Sequence, residues 1–349
     1  MSADHIPPPL ERAEFEAESL IRQHPPQWHH PNKQVVYEVA TSTGDPFAGR
    51  IRYARWAEME LPERPPPHRA EPEPASWNRS ARVRFDIRPG HYDYALDPCG
   101  RSEWHVNFAD PHLFGMYEWA LFAQDEIQVA EHPILGSVRD ALTEAGKATG
   151  PRTVDRDRRP TPVTVTGAQR RVAIDTRGIY GNAFAASPES TVRAACTPLS
   201  PLTVSNIVAM AAPAVGHGVY SRAEIDYVVG CAYTGFRAAR AESEALAAAE
   251  SGAEDDARGR ADPGVLVHTG FWGCGAFGGN RSLMPMLQAF AAELAGVDVA
   301  FHAFDEAGIA TVEGAFAAYR ELCAATPGTG ARLDAIEAQG FEWGVSDGN

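Results

Sequence analysis

Beyond about residue 82 the chain alternates between two hydrophobic periods. Arg82 to Ile87, Glu103 to Phe108, Arg170 to Thr176, Thr203 to Ala212, Val265 to Val267 and Val297 to Phe304 are short alternating or β-branched runs that predict strands. Pro133 to Ala145, Ser221 to Arg240, Ser282 to Leu294 and Val312 to Ala325 carry apolar residues at helical spacing. Ser221, with Glu224 after it, gives the second of these a capping box. Strands interleaved with helices predict an α/β fold, a mixed sheet with helices on both faces. Ligands of such sheets bind outside the carboxyl ends of the strands.

Before residue 81 the texture is different. Pro9 to Gln23 predicts an amphipathic helix with Leu10, Phe15, Leu20 and Ile21 as its apolar stripe, whereas Gln34 to Thr41 and Arg50 to Trp56 alternate like strands. The proline-dense run from Leu61 to Ala75 can neither pair in a sheet nor continue a helix, which predicts an extended linker. The expected organisation is therefore an N-terminal extension over 1–80, an α/β domain over 81–325 and a loosely held tail over 326–349. His29-His30 has no further ligands at metal spacing and is expected in a solvated turn.

Composition narrows the class. At 349 residues, 44% of them hydrophobic, the chain can bury one large core and still carry an extension. A net charge of −15 disfavours broad attraction to nucleic acid or to an anionic membrane surface. A compact anionic ligand must then be held by local donors. Five scattered cysteines without a CxxC or Cys/His cluster predict free thiols, no zinc site and a reducing, cytoplasmic setting. Neither a signal-peptide pattern nor an apolar run of membrane-spanning length is present in the sequence, so neither secretion nor membrane insertion is expected.

The densest chemistry lies in Val265 to Asn280, VLVHTGFWGCGAFGGN. A buried strand runs into a turn with Gly270, Gly273, Gly275, Gly278 and Gly279, and a helix follows. Glycine lets bare N–H groups approach an anion, and a helix N-terminus adds partial positive charge, so the stretch predicts a phosphate cradle. No lysine follows as in a P-loop, and the spacing is not that of a dinucleotide fingerprint. Trp272 and Phe277 suit the ribose or base faces of a nucleotide, although a glycine-rich turn that only packs is the alternative. His268 just before the cradle is expected to pack rather than to act as a base.

A second block contains Val106-Asn-Phe-Ala-Asp110, Gly115-Met116-Tyr117 and Gln124-Asp125-Glu126. Adjacent carboxylates at a strand end disfavour each other's ionisation, which can poise one acid for proton transfer. On the residues alone, a solvated helix turn is the reading favoured over an acid/base pair.

The stretch Thr269-Gly-Phe-Trp-Gly-Cys-Gly-Ala-Phe-Gly-Gly279 resembles the diphosphate-binding loop of the poly(ADP-ribose) glycohydrolase family, T-G-x-W-G-C-G-A-F-G-G. Ala232-Tyr-Thr-Gly-Phe236 resembles that family's A-Y-x-G-F. The acidic block is similar to its V-D-F-A-N, glycine run and Q-E-E, with Asp and Asn exchanged and Gly115 alone kept of the three glycines. The resemblance implies a macrodomain-like three-layer α/β/α sandwich and an ADP-ribosyl hydrolase that needs no metal or other cofactor. It implies that Glu126 protonates the leaving oxygen and then activates water, with Asp125 and Gln124 on the ribose hydroxyls. Thr269, Gly270, Trp272, Gly273, Cys274, Gly275, Ala276, Phe277 and Gly278 would surround the diphosphate and its sugar, Cys274 by packing and not as a nucleophile. Asp110, Gly115 and Tyr117 would border the ribose. Tyr180, in Gly178 to Phe184, would contact base or ribose, a role that a packing tyrosine rivals. Met116 and Tyr117 in place of glycines predict a narrower site, and a non-catalytic ADP-ribose reader is the alternative function.

Overall fold

The computed structural model describes residues 6–65, 83–146, 150–250 and 264–348. Most of the proline-dense run lies outside those residues. In chain order the elements are β1 (Glu11–Glu16), α1 (Ala17–Gln23), α2 (Pro31–Thr41), β2 (Arg50–Arg55), β3 (Phe85–Pro89) and β4 (Ser102–Ala109). They continue with α3 (Gln124–Glu131), α4 (Ile134–Glu144), β5 (Val163–Ile174), α5 (Ala183–Ala186), α6 (Glu189–Ala195) and β6 (Cys196–Ala211). The last are α7 (Arg222–Glu250), β7 (Val265–Thr269), α8 (Leu283–Ala295), β8 (Asp298–Ala303), α9 (Glu306–Ala325) and α10 (Thr329–Glu337). The architecture is α/β with mixed strand pairing, as the alternation of periods predicts.

Three expectations are corrected. The helix expected over Pro9 to Gln23 is a strand followed by a short helix, because Glu11–Glu16 alternates in burial and pairs antiparallel with β2. Glu14 and Glu16 face Arg50 at 2.9 and 3.0 Å across that pair, a register an amphipathic helix does not offer. The strand expected over Gln34 to Thr41 is α2. Pro31 starts it, the His30 ring nitrogen accepts the Asn32 N–H at 3.3 Å, and Val35, Val36, Val39 and Ala40 are buried at helical spacing. The tail expected to be loose contains α10, where Arg332 is buried against Glu293 at 2.8 Å.

The chain forms two compact units. One is built mainly from 9–56 and 107–211, the other mainly from 57–106 and 212–347, and β4 passes from the second to the first after Val106. The first unit pairs β1-β2-β5-β6 antiparallel. Its cores join Leu20, Tyr53, Leu113, Phe114, Tyr117 and Val165 in one cluster and Val36, Phe122, Val172 and Phe184 in another. The second unit pairs β4-β7-β8-β3 parallel, the arrangement that buries β7 completely and makes it read as one apolar run. Every residue of α8 is buried there. No helix among the described residues is long and apolar enough to cross a membrane.

Candidate active site

In the first unit, α3 begins at Gln124 and is tied to the end of β4 by two side chains. Gln124 Oε1 accepts the Phe108 N–H at 2.7 Å, and Asp125 Oδ1 accepts from Asn107 Nδ2 at 2.9 Å. Glu126, the third residue of the helix, turns back so that its Oε2 accepts the Ala123 N–H at 3.0 Å, satisfying a donor that the helix start leaves open. Asp125 is 7% and Glu126 3% exposed, so the solvated turn that the residues alone favoured is not what forms.

Burial sets the electrostatics. It raises the proton affinity of both carboxyls, Asp125 the more so because the Glu126 charge adds to burial while Asn107 opposes it. On Glu126, burial is opposed first by the charge of Lys33. A carboxyl whose folded pKa is raised contributes stability that is complete below its unfolded value and lost as pH rises through the folded value. Asp125→Asn should therefore stabilise the protein by about 1 kcal/mol at pH 8 and by nothing near pH 4, while Glu126 still balances Lys33. Thermal melts of the variant and wild type across that pH range check this, and equal melting temperatures at pH 8 would contradict it.

The remaining residues expected around the acids divide. Asp110 is half-exposed and caps its own turn, its Oδ1 accepting the His112 N–H at 3.0 Å, and its charge bears on both Asp125 and Glu126. Gly115 donates to the His112 carbonyl at 2.9 Å. Met116 is 45% exposed, but Tyr117 is fully buried: its hydroxyl donates to Asp140 at 2.8 Å and accepts the Gln27 N–H, and its ring meets Trp28 edge-on. The Tyr117 side chain is thus packed in the core cluster of the first unit. Tyr180 lies half-buried in the segment whose Gly181 N–H donates to the Phe122 carbonyl at 2.9 Å.

In the second unit, β7 delivers the glycine loop and several of its side chains turn inward. Trp272 is fully buried. The Thr269 hydroxyl donates to Gln288 Oε1, and Gln288 Nε2 donates to the Gly270 carbonyl at 3.1 Å, so Thr269 braces the loop from beneath. Cys274 has its thiol pushed up to about 12 by burial, consistent with packing and unsuited to nucleophilic attack. His268 is buried between Glu103 and His302, at 2.9 and 3.1 Å, and stacks on His105.

The backbone of the loop is divided between internal bonds and open donors. Trp272, Cys274, Gly278 and Gly279 donate to loop carbonyls, and Asn280 Oδ1 accepts the N–H groups of Ser282 and Leu283 that would otherwise have faced an anion. Among the described residues, no hydrogen bond takes up the consecutive N–H groups of Gly275, Ala276 and Phe277. Ala276 is exposed. Three adjacent N–H groups without an acceptor are donors that an anion can use.

Residues 342–347 lie along the same loop, which the sequence did not suggest. Trp343 anchors them: its ring stacks on Tyr220 at 4.3 Å and its Nε1 donates to Glu224 at 3.2 Å. Asn280 Nδ2 donates to the Glu342 carbonyl at 2.8 Å. The Asp347 N–H donates to the Gly275 carbonyl at 3.4 Å, and a Cβ added at Gly275 would sit 3.3 Å from the Asp347 carboxylate.

Residues 162–311 match the family described as poly(ADP-ribose) glycohydrolase (PARG), macro domain fold. The matched residues contain the glycine loop, while the acidic block at 124–126 precedes them. No curated protein matches the chain. Among solved structures, it is similar to the poly(ADP-ribose) glycohydrolase of Thermomonospora curvata bound to the inhibitor ADP-HPD, with 18% identity over 67% of this chain and 78% of that one and a TM-score of 0.39. It is also similar to the Deinococcus radiodurans enzyme in complex with ADP-ribose, with 13% identity over 89% of this chain and 94% of that one and a TM-score of 0.40.

Proposed function

We propose that this chain, whose residues 162–311 match the poly(ADP-ribose) glycohydrolase family, is a divergent member of it that binds ADP-ribose and hydrolyses the glycosidic bond joining it to an acceptor. The observation that carries the reading is the run of open N–H groups at Gly275, Ala276 and Phe277, inside the residues that match the family. They accept no proton and carry no net charge, so they suit a diphosphate in a chain whose net charge repels anions at long range.

Glu126 supplies the chemistry. A carboxyl whose proton affinity burial raises delivers a proton to the leaving oxygen as the bond from that oxygen to the distal ribose C1″ breaks. The carboxylate left behind takes a proton from water as the water oxygen bonds to C1″, which restores the acid and balances the reaction. Asp125, held by Asn107, accepts from a ribose hydroxyl, and a cytoplasmic setting supplies the conjugates. Incubation with ADP-ribosylated protein, nucleic acid and polymer, followed by chromatography, should detect free ADP-ribose from at least one of them.

One observation favours a reader instead: the Glu126 carboxylate already serves its own helix by accepting the Ala123 N–H. Tight ADP-ribose binding without release from any conjugate would select that reading. Both readings make Asp347 a like charge beside the bound diphosphate. Asp347→Ser should tighten ADP-ribose binding by roughly two- to fivefold at low salt, the gain shrinking as salt is raised. Calorimetry at two ionic strengths measures this, and unchanged affinity at low salt would place the diphosphate elsewhere.

A further inference from the structure

Lys33 lies on α2, in the stretch expected to be an accessory extension, and is 1% exposed. Its ammonium donates to the Tyr117 carbonyl at 2.8 Å, its one hydrogen bond among the described residues. It lies 5.1 Å from the ring centroid of Phe122 and 5.9 Å from that of Phe184, two rings that stack on each other at 3.8 Å. Tyr117 and Phe122 bracket the turn that enters Ala123, whose N–H the Glu126 carboxylate accepts. One hydrogen bond and two ring faces offset only part of the cost of burying an ammonium. Negative charge offsets more: Glu126 and Asp125 both attract the ammonium, against burial that brings its pKa down to about 8. The attraction is mutual, since Lys33 is the strongest influence opposing burial on Glu126.

We propose that Lys33 is a positioning residue for Glu126: its buried ammonium anchors the 117–122 turn that leads into the Ala123 N–H held by the Glu126 carboxylate, and it supplies a positive charge to that end of α3. Its meaning for catalysis rests on the hydrolase reading, whereas the electrostatic link does not. The charged groups around it leave few rivals. Asp125 and Glu126 come from α3, Asp110 from beyond β4, and His30 from the cap of α2 itself, where the Lys33 charge lowers its pKa after burial does. On β5, Arg170 is bound to Glu131, and Arg171 points to the carbonyls of Ala40 and Asp45. On α6, Arg193 pairs with Glu189 and with Glu38 of α2, and Cys196 at the start of β6 is held neutral by burial.

The test follows the Glu126 side-chain carboxyl carbon by NMR through a pH titration of wild type, Lys33→Met and Lys33→Arg. Removing the charge should raise the Glu126 midpoint by ~1 pH unit, and arginine should hold it near the wild-type position. An unchanged midpoint in Lys33→Met overturns the proposal. Coupling is reciprocal, so Lys33 in Glu126→Gln should titrate below its wild-type midpoint, a measurement that decides the matter if Lys33→Met does not fold. In turnover, Lys33→Met should move the pH profile of kcat by the same amount with KM within about twofold. A residue that only packs would lower activity uniformly at every pH and leave the Glu126 midpoint in place. If wild type releases no ADP-ribose from any conjugate, the hydrolase reading fails, and the two titrations still decide the role of Lys33.

Discussion

Glu126→Gln is expected to lower kcat for ADP-ribose release by roughly 10²–10⁴-fold, with ADP-ribose affinity within about threefold of wild type. Glutamine keeps the length of the side chain and an oxygen that can accept the Ala123 N–H, so the start of α3 survives. What it removes is the exchangeable proton. It also leaves Asp125 alone to offset the burial of the Lys33 ammonium, so the melting temperature of the variant is read beside its rate before the loss is assigned to the missing proton. Product chromatography, calorimetry with ADP-ribose and a melt on the same preparation separate the terms. A variant that keeps full activity would remove Glu126 from the mechanism.

The second large effect belongs to Gly273. Its φ of +75° lies in the left-handed region, and a Cβ there would come within 2.6 Å of the Ala212 Cβ and 3.2 Å of the Met284 Cε. Its carbonyl also accepts the Gly279 N–H at 2.8 Å, closing the turn that presents Gly275 to Phe277. Valine adds the backbone cost of that conformation to a clash in a packed region, together ~3 kcal/mol or more. Gly273→Val should melt well below wild type and, at temperatures where it remains folded by circular dichroism, bind ADP-ribose at least about tenfold more weakly. Unaltered affinity in the folded variant would mean that the loop conformation does not matter to the ligand.

The parts legible in the sequence are those whose local pattern and tertiary environment agree. Val265 to Val267 reads as a buried strand because β7 has parallel neighbours on both sides, and the glycines after it can be nothing but a turn. The apolar spacing of Leu283, Leu287, Phe290 and Leu294 reads as a helix, and α8 forms there. The failures come from non-local causes. Val35, Val36 and Val39 suggest a strand by propensity, yet the helix is decided by Pro31, the His30 cap and burial on one face. The Pro31 start and that spacing were available signals for it. Charged Glu11 to Glu16 becomes a strand because Arg50, Arg52 and Arg55 lie across from it.

The candidate site was legible in the same uneven way. The positions of the acids and the glycines follow from the motif, but the inward turn of Tyr117 and Trp272 depends on neighbours far away in sequence. The contribution of Lys33 depends on a helix that was read as a strand. Asn107 was visible as the exchanged member of Val106-Asn-Phe-Ala-Asp110, and its bond to Asp125 gives that exchange a physical role. Nothing in the periodicity of the tail foretells that Trp343 holds it along the glycine loop.

A crystal structure of Glu126→Gln with ADP-ribose tests the central claim most directly. The account predicts diphosphate oxygens within hydrogen-bonding distance of the N–H groups of Gly275, Ala276 and Phe277. A diphosphate bound away from those three N–H groups would contradict it.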